Sequence, residues 1–245
     1  MKKKNLQRLV FLPFAIWACA VFLLLGLLVL ALILPVPWQS LRRRMVRGAA
    51  RAALLACGMP WTLRHIERLP HAACVVVANH ASYLDGIALF ATLPPRFGFV
   101  IKREVSRVPV ADLLLRLIGS HYVDRGSGHK GALDTRKLLR RAHVGDALAF
   151  FPEGTFGHKP GLAAFRSGAF AIAARAGLPI VPVAIRGTRS LLPGGMFIPR
   201  PGRIHIELAP AQPPPASTRK EDVAKALAAA RRAILARIDE PDLDA

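Results

Sequence analysis

Residues 74–93 read CVVVANHASYLDGIALFATL, and this stretch decides the fold. A short apolar run rich in valine is followed by a polar turn and then by a second apolar run. That order is typical of a buried strand that leads directly into a helix. The polar turn contains His80 and Asp85. The stretch therefore predicts a strand, a turn and a helix, with two ionisable side chains where the strand ends.

The same alternation extends over most of the chain, from about residue 60 to residue 210. It predicts an α/β fold, a layered domain in which helices flank a mostly buried mixed or parallel β-sheet. The predicted strands are residues 74–79, 97–101, 120–123, 147–151, 180–185 and 203–208, and the predicted helices lie near residues 86–93, 109–118, 130–143 and 165–176.

The N-terminal part of the chain has the composition of a membrane segment. Residues 9–34 contain no charged side chain, and as a helix they would extend roughly 39 Å, which is enough to span a bilayer. The segment is longer than the apolar core of a secretory signal. We therefore expect a retained membrane-embedded helix, or a hairpin that bends at Gly26 or at the Pro35-Val36-Pro37 break.

The chain is strongly basic, with 35 Lys and Arg against 15 Asp and Glu and a net charge of +20. Such an excess calls for an anionic partner. Residues 40–57 mix arginine and apolar residues directly after the membrane segment, so we expect an interfacial helix on an anionic membrane surface and no nucleic-acid partner. The predicted domains are the anchor with its interfacial helix (1–58), the α/β domain (59–212), and a proline-rich linker with a C-terminal amphipathic helix (213–245).

The polar turn NHASYLDG has two interpretations. Ser82 and Asp85 fit a capping box, in which the carboxylate reaches back to the first amides of a helix. Alternatively, Asp85 holds one ring nitrogen of His80 and leaves the other free to take a proton from a hydroxyl group. These eight residues alone leave both interpretations open.

A second motif, FPEGT at residues 151–155, follows the predicted strand 147–151. Ligands of α/β sheets bind outside the strand ends, so Glu153, held between a rigid proline and a permissive glycine, is suited to a pocket. A plain turn that ends the strand would explain the same residues.

Taken together, His80-x-x-x-x-Asp85 and the FPEGT motif some seventy residues later resemble the membrane-associated glycerolipid acyltransferases, specifically the bacterial 1-acyl-sn-glycerol-3-phosphate acyltransferase family. The resemblance rests on the order and spacing of several blocks. The further blocks are residues 101–105 (IKREV), 119–125 (GSHYVDR) and 180–184 (IVPVA).

The resemblance implies that the chain acylates the free hydroxyl of lysophosphatidate and forms phosphatidate. His80 would be the general base and Asp85 would orient it, with acyl-CoA or acyl-carrier protein as the donor and no cofactor or metal. The active site would face the cytoplasm at the bacterial inner membrane. The substrate-binding residues that the resemblance implies are Lys102, Arg125, Glu153, Gly154, Thr155 and Arg166.

One position departs from the family pattern. The third block of the family usually continues FPEGTR, whereas this chain has Phe156 in place of the arginine. Arg166 is placed where it could supply the missing positive charge. The departure keeps another lyso-lipid, such as lyso-ornithine lipid, as an alternative acceptor.

Other classes of function explain fewer residues. A metal-dependent hydrolase would use His80, Asp85, Glu153 and His158, but the chain has no HExxH motif. A non-catalytic basic module would explain the charge and leave both motifs unexplained. The chain also has no GxSxG elbow, and Cys74 reads as a packing residue, so direct transfer is expected rather than a covalent acyl-enzyme.

Overall fold

Seven strands form one sheet in the computed structural model, which describes residues 2–123, 136–142, 145–157, 159–196 and 198–244, with side chains from residue 11 onward. The strands are β1 (Trp61–Arg64), β2 (Val75–Ala78), β3 (Phe97–Lys102), β4 (His121–Val123), β5 (Ala147–Phe150), β6 (Ile180–Arg186) and β7 (Ile204–Leu208).

The strand order across the sheet is β1-β7-β6-β2-β5-β3-β4. Neighbouring strands run parallel except β6 and β7, which are antiparallel. The central strand β2 is buried along its whole length, as expected for a parallel sheet covered on both faces. The predicted α/β fold with a mostly buried mixed sheet is confirmed.

Strand β1 was missed by the sequence analysis. Its four residues, WTLR, alternate between half-buried and exposed, and it lies at the edge of the sheet. The short segment has no apolar run, and it becomes a strand because it pairs in parallel with β7. Because the partner strand is far away in the sequence, residues 61–64 themselves carry no pattern that predicts a strand.

Helices lie before, between and after the strands. In chain order they are α1 (Lys2–Ile33), α2 (Gln39–Ala56), α3 (Leu84–Thr92), α4 (Pro109–Leu117), α5 (residues 136–142), α6 (Gly168–Ala176), α7 (Thr188–Leu191) and α8 (Lys220–Leu235), with short 3₁₀ helices at Ile66–Arg68 and Arg103–Arg107.

The first two helices form an antiparallel hairpin. Helix α1 passes Gly26 without a break and ends at Ile33, so the chain turns at the proline-containing break and not at Gly26. Helix α2 then runs back along α1, and the Trp17 indole donates a hydrogen bond to the Ala56 carbonyl at 3.1 Å. The part Phe11–Ile33 is long and apolar enough to cross a membrane.

Helix α1 has two different faces. Ala18 and Val21 belong to the hydrophobic core beneath the sheet, and Val29 and Ile33 pack against α2 and α4. The opposite face presents large apolar side chains that are exposed over about half of their surface or more. The exposed residues of this face are Leu12, Ile16, Trp17, Leu23, Leu24, Leu27, Leu28 and Leu32.

Three arginines of α2 donate hydrogen bonds to backbone carbonyls at the ends of other helices and strands. The guanidinium of Arg43 donates to the carbonyls of Ile118 at 2.8 Å and Pro95 at 3.3 Å. Arg47 and Arg51 donate to the carbonyls of the last turn of α3 at 3.0 and 2.7 Å. Cations stabilise unpaired carbonyls at helix C-termini. These three arginines therefore help to hold α3 and α4 in place.

We expect Arg43→Met to lower the free energy of unfolding by about 2 to 4 kcal/mol, because buried carbonyls lose a charged donor. Arg43 is 8% exposed. Chemical unfolding in detergent measures the change, and Arg44→Met, an exposed neighbour on the same helix, is the control. Equal stability of the two variants would contradict the structural role.

The predicted C-terminal amphipathic helix is present as α8. Val223, Ala230 and Ile234 are buried against the face of the sheet that also carries α6. The helix and the residues that follow it therefore lie beside the ends of β5 and β6.

Candidate functional site

Three predicted site residues lie at one edge of the sheet because their strands are parallel neighbours. His80 follows β2, Glu153 follows β5, and Lys102 ends β3. Strands β2, β5 and β3 are adjacent in that order. The two motifs, far apart in sequence, meet at the carboxyl ends of the strands, where α/β folds bind ligands.

Asn79 fixes the point at which β2 ends. Its side-chain amide donates to the Ile185 carbonyl at 2.9 Å, and its side-chain oxygen accepts from the Ile185 amide at 2.7 Å. Both bonds are buried and tie the end of β2 to β6. The next residue, His80, therefore begins its turn from a fixed position.

The imidazole of His80 is bound to the carboxylate of Asp85. The distance from Nδ1 to Oδ2 is 2.9 Å, and Asp85 is fully buried while the His80 side chain is 18% exposed. Oδ2 also accepts hydrogen bonds from backbone amides, so it is an acceptor and the proton of the neutral ring lies on Nδ1. The other ring nitrogen, Nε2, is then unprotonated and able to accept a proton.

The same oxygen also caps α3. Asp85 Oδ2 accepts from the amides of Ala81 at 2.6 Å and Ser82 at 2.7 Å, and Ser82 Oγ accepts from the Leu84 amide at 3.1 Å. Asp85 Oδ2 thus makes the contacts that both interpretations require, to the amides of the turn and to the His80 ring, and the role of His80 as a base stays a prediction. One carboxylate oxygen fixes the turn and the imidazole together.

Aromatic rings enclose the imidazole. Phe151 stacks on the His80 ring with centroids 4.2 Å apart, and Phe156 meets it edge-on at 4.5 Å. Tyr83 contacts the other side of Phe156 at 4.8 Å. The phenyl ring of Phe156 therefore lies beside His80, at the position where the family pattern has an arginine.

Glu153 braces the turn that carries His80. Its Oε1 accepts from the His80 amide at 2.6 Å, and its Oε2 accepts from the Ala163 amide at 2.9 Å. The side chain is 93% buried, since only 7% of its surface is exposed. Of the two functions expected for Glu153, hydrogen bonding to substrate hydroxyls and bracing of the pocket, these bonds favour bracing.

Burial raises the pKa of Glu153 to about 7, and the Asp85 carboxylate contributes to the increase. The amides of Ala163 and His80 and the charge of Arg189 act in the opposite direction. Glu153 therefore changes its charge within the physiological pH range.

This raised pKa predicts a pH dependence of stability. The folded protein binds the Glu153 proton more tightly than the unfolded chain does. The stabilisation that results is fully present below the ordinary pKa of 4.5 and is lost as the pH rises through about 7. Between these limits we expect the free energy of unfolding to fall by roughly 3 kcal/mol relative to Glu153→Gln, which does not titrate. Urea unfolding of both proteins from pH 4 to 8 measures the difference, and a constant difference would contradict the prediction.

The other predicted binding residues differ in their surroundings. Lys102 pairs with Glu104 at 3.2 Å and is partly exposed. Gly154 is buried with a φ of +81°, a conformation that favours glycine, and Thr155 is exposed. Arg166 has an exposed side chain, and its amide donates to the carbonyl of Pro152 at 2.9 Å. Arg125 lies outside the described residues.

Several residues of the centre were not singled out as site residues from the sequence. Asn79 directly precedes His80 and Phe151 is the first residue of FPEGT, and only their strand-end positions distinguished them. Burial raises the pKa of Cys74 to about 11, so its thiol is almost entirely protonated at neutral pH, as expected of a packing residue.

A cavity of 420 Å³ lies next to the centre, where β6 ends. Ile185, whose backbone binds Asn79, is part of its wall, together with Arg189 of α7 and Glu240 near the C-terminus. Among the residues that the structure describes, no group of three or more His, Cys, Asp or Glu side chains could hold a metal ion. His158 is not among those residues.

The chain is similar to proteins of known function. A lyso-ornithine lipid O-acyltransferase of Pseudomonas aeruginosa is 31% identical over 237 residues, covering 86% of this chain and 90% of that protein. A 1-acyl-sn-glycerol-3-phosphate acyltransferase of Chlamydomonas reinhardtii is 38% identical over 149 residues, covering 59% of this chain. The chain spans only 44% of the algal protein and 39% of a similar Brassica napus protein.

A solved structure has the same fold. The crystal structure of the 1-acyl-sn-glycerophosphate (LPA) acyltransferase PlsC from Thermotoga maritima aligns with a TM-score of 0.74 over 95% of this chain and 98% of that one. Sequence identity is 20%, so this likeness concerns the fold alone. The sequence model of the family described as Acyltransferase matches residues 61–186, about half of the chain. Because that match coincides with the Pseudomonas relative, which aligns along almost its whole length, the chain belongs to the acyltransferase family.

Proposed function

We propose that the protein transfers a fatty acyl group from an acyl thioester, acyl-CoA or acyl-carrier protein, to the free hydroxyl of lysophosphatidate and so forms phosphatidate. The observation that carries this proposal is the 2.9 Å contact between His80 Nδ1 and a fully buried Asp85 carboxylate. That contact leaves Nε2 as a base at the carboxyl edge of the sheet. Relatives with this activity in their names support the choice of reaction.

The transfer is direct, without a cofactor and without a covalent acyl-enzyme. Nε2 of His80 removes the hydroxyl proton as the oxygen attacks the thioester carbonyl. The carbon–sulfur bond then breaks, and the leaving sulfur takes the proton and departs as a thiol. Asp85 and the stacked ring of Phe151 stabilise the imidazolium that forms between these events. Lys102 is the proposed donor to the negative oxygen of the tetrahedral intermediate.

The proposed substrate enters from a membrane. The exposed face of α1 is apolar, and the same helix packs on the domain that carries His80. A lyso-lipid can then reach the base laterally while its acyl chain stays in the bilayer. We place the protein on the cytoplasmic side of a bacterial inner membrane, where acyl thioesters are made, on an anionic lipid surface.

An assay of thiol release tests the proposed reaction. Membranes that contain the protein are supplied with acyl-CoA or with acyl-carrier protein thioester, with and without lysophosphatidate. We expect thiol release only when the lyso-lipid is present, together with a radiolabelled phosphatidate product. Equal release without any lyso-lipid would point to a thioesterase and would reject the proposal.

Phe156 favours lyso-ornithine lipid as a second candidate acceptor. The phenyl ring lies against His80, where an arginine would bind the phosphate of lysophosphatidate. A relative that aligns over 90% of its own length is named for lyso-ornithine lipid. Comparison of the two lyso-lipids in the thiol assay distinguishes the acceptors.

We expect Phe156→Arg to raise the preference for lysophosphatidate over lyso-ornithine lipid by roughly 10-fold to 100-fold, because a charged hydrogen bond to phosphate contributes about 1.5 to 3 kcal/mol. The ratio of the two kcat/KM values measures the change. Phe156→Leu removes the ring without adding charge and is the matched control. If both variants change the ratio equally, the phosphate explanation is wrong.

A further inference from the structure

The segment that follows FPEGT is bound to the C-terminal segment, residues 238–244. The Leu162 amide donates to the Pro241 carbonyl at 2.9 Å, and the Leu243 amide donates back to the Leu162 carbonyl at 3.0 Å. The Gly161 amide donates to Glu240 Oε2 at 2.8 Å. The two segments thus form a short parallel β-bridge.

Two arginine–carboxylate pairs secure this bridge. Arg231 of α8 makes a two-point contact with Asp242 and donates to the Leu162 carbonyl at 3.1 Å, and its side chain is only 11% exposed. Arg189 contacts Glu240 through two nitrogens at 2.7 and 3.0 Å and donates to the Gly157 carbonyl at 3.0 Å. Bidentate pairs of this kind restrict geometry more than exposed single contacts do.

The two segments approach each other closely at Gly161. Gly161 has a φ of +137°, and a Cβ atom there would collide with the side chain of Leu243. Glycine is therefore needed for both the conformation and the close approach.

The bridge is connected to His80 through Glu153. Ala163, the residue after Leu162, donates its amide to Glu153 Oε2, and Glu153 Oε1 accepts the His80 amide. We propose that Arg231 and the C-terminal segment are positioning elements of the active site, which hold residues 159–163 so that Glu153 stays bound to the His80 amide. This proposal rests on the proposed function of His80.

Loss of the bridge is also expected to change the pKa of Glu153. The charged groups that face Glu153 are Asp85, Arg189 and Arg231, and His80 lies next to it. The Ala163 amide and the Arg189 charge both lower the pKa of Glu153. Loss of the bridge removes the amide, so the Glu153 carboxylate then forms only at higher pH.

The test uses the full-length variants Arg231→Met and Glu240→Gln, with Arg232→Met, an exposed neighbour on α8, as the control. Hydrogen–deuterium exchange is followed in peptides that cover residues 159–163 and in peptides that contain His80. We expect both regions to exchange faster in Arg231→Met and Glu240→Gln and to be unchanged in Arg232→Met. Faster exchange limited to residues 159–163 and the C-terminal segment would overturn the proposal, whatever the activity of the protein.

Kinetics supply a second readout. We expect kcat to fall roughly 10-fold to 100-fold in Arg231→Met, with the acidic limb of its pH profile displaced to higher pH. Arg232→Met should match the wild type in both respects. A wild-type kcat and pH profile in Arg231→Met and Glu240→Gln would also overturn the proposal. Absence of thiol release in the wild type would reject the proposed function, while the exchange experiment still decides the positioning effect.

Discussion

Replacing His80 with alanine is expected to lower lyso-lipid-dependent thiol release by about 10²-fold to 10⁴-fold, the usual contribution of a positioned general base. The loss should appear in kcat, because alanine removes the group that takes the hydroxyl proton. Initial rates at saturating donor and acceptor measure it. The fold should persist, since the Asp85 cap of α3 uses backbone amides that the substitution leaves in place.

The matched control is His71→Ala, which removes an exposed histidine that precedes β2. Its rate and melting temperature should equal those of the wild type. If His80→Ala also kept the wild-type rate while folded, another residue would be the base and the proposed mechanism would be wrong.

Asp85→Asn is expected to have an effect of similar size on the rate, roughly 10²-fold to 10⁴-fold, and a separate effect on stability. An asparagine can turn its NH₂ group toward His80, which favours the ring form with the proton on Nε2, and that form cannot act as a base. The neutral amide also caps α3 less well, at a cost of about 1 to 2 kcal/mol. The rate assay and urea unfolding measure the two effects.

Asp112→Asn provides the comparison, because Asp112 also lies in the first turn of a helix, α4, but contacts Arg116 at the surface. It should leave the rate unchanged. A variant Asp85→Asn with normal rate and reduced stability would mean that Asp85 only caps the helix. Slow turnover together with reduced stability distinguishes Asp85→Asn from His80→Ala, for which only the turnover is expected to fall.

The sequence alone predicted the local units well. Valine-rich β2, the polar turn and apolar α3 follow from residue type and spacing, because burial of one face and capping of a helix are short-range requirements. The order and spacing of the two motifs also identified the family. Strand β1 was missed because its stability comes from a partner some 140 residues away in sequence.

Contacts between distant segments were decided only by the tertiary structure. Adjacent parallel strands β2 and β5 place Glu153 against the His80 amide, 73 residues away. Arg43 and Arg47 of α2 donate to carbonyls at the C-termini of α4 and α3, partners that the spacing of the arginines could not indicate. The four acidic residues within 239–244, in so basic a chain, were the available signal for the C-terminal bridge, but their partners could not be inferred from spacing.

The polar turn NHASYLDG shows both what the sequence determines and what only the tertiary structure decides. Residue types determined that Asp85 would serve either the helix or the imidazole, since both need a carboxylate at that spacing. Only the folded chain decided that Oδ2 serves both, because the turn after β2 brings two amides and Nδ1 within 2.9 Å of one oxygen. The local sequence determines which side chains can form hydrogen bonds at this turn. The packing of strands and helices determines which of these bonds form.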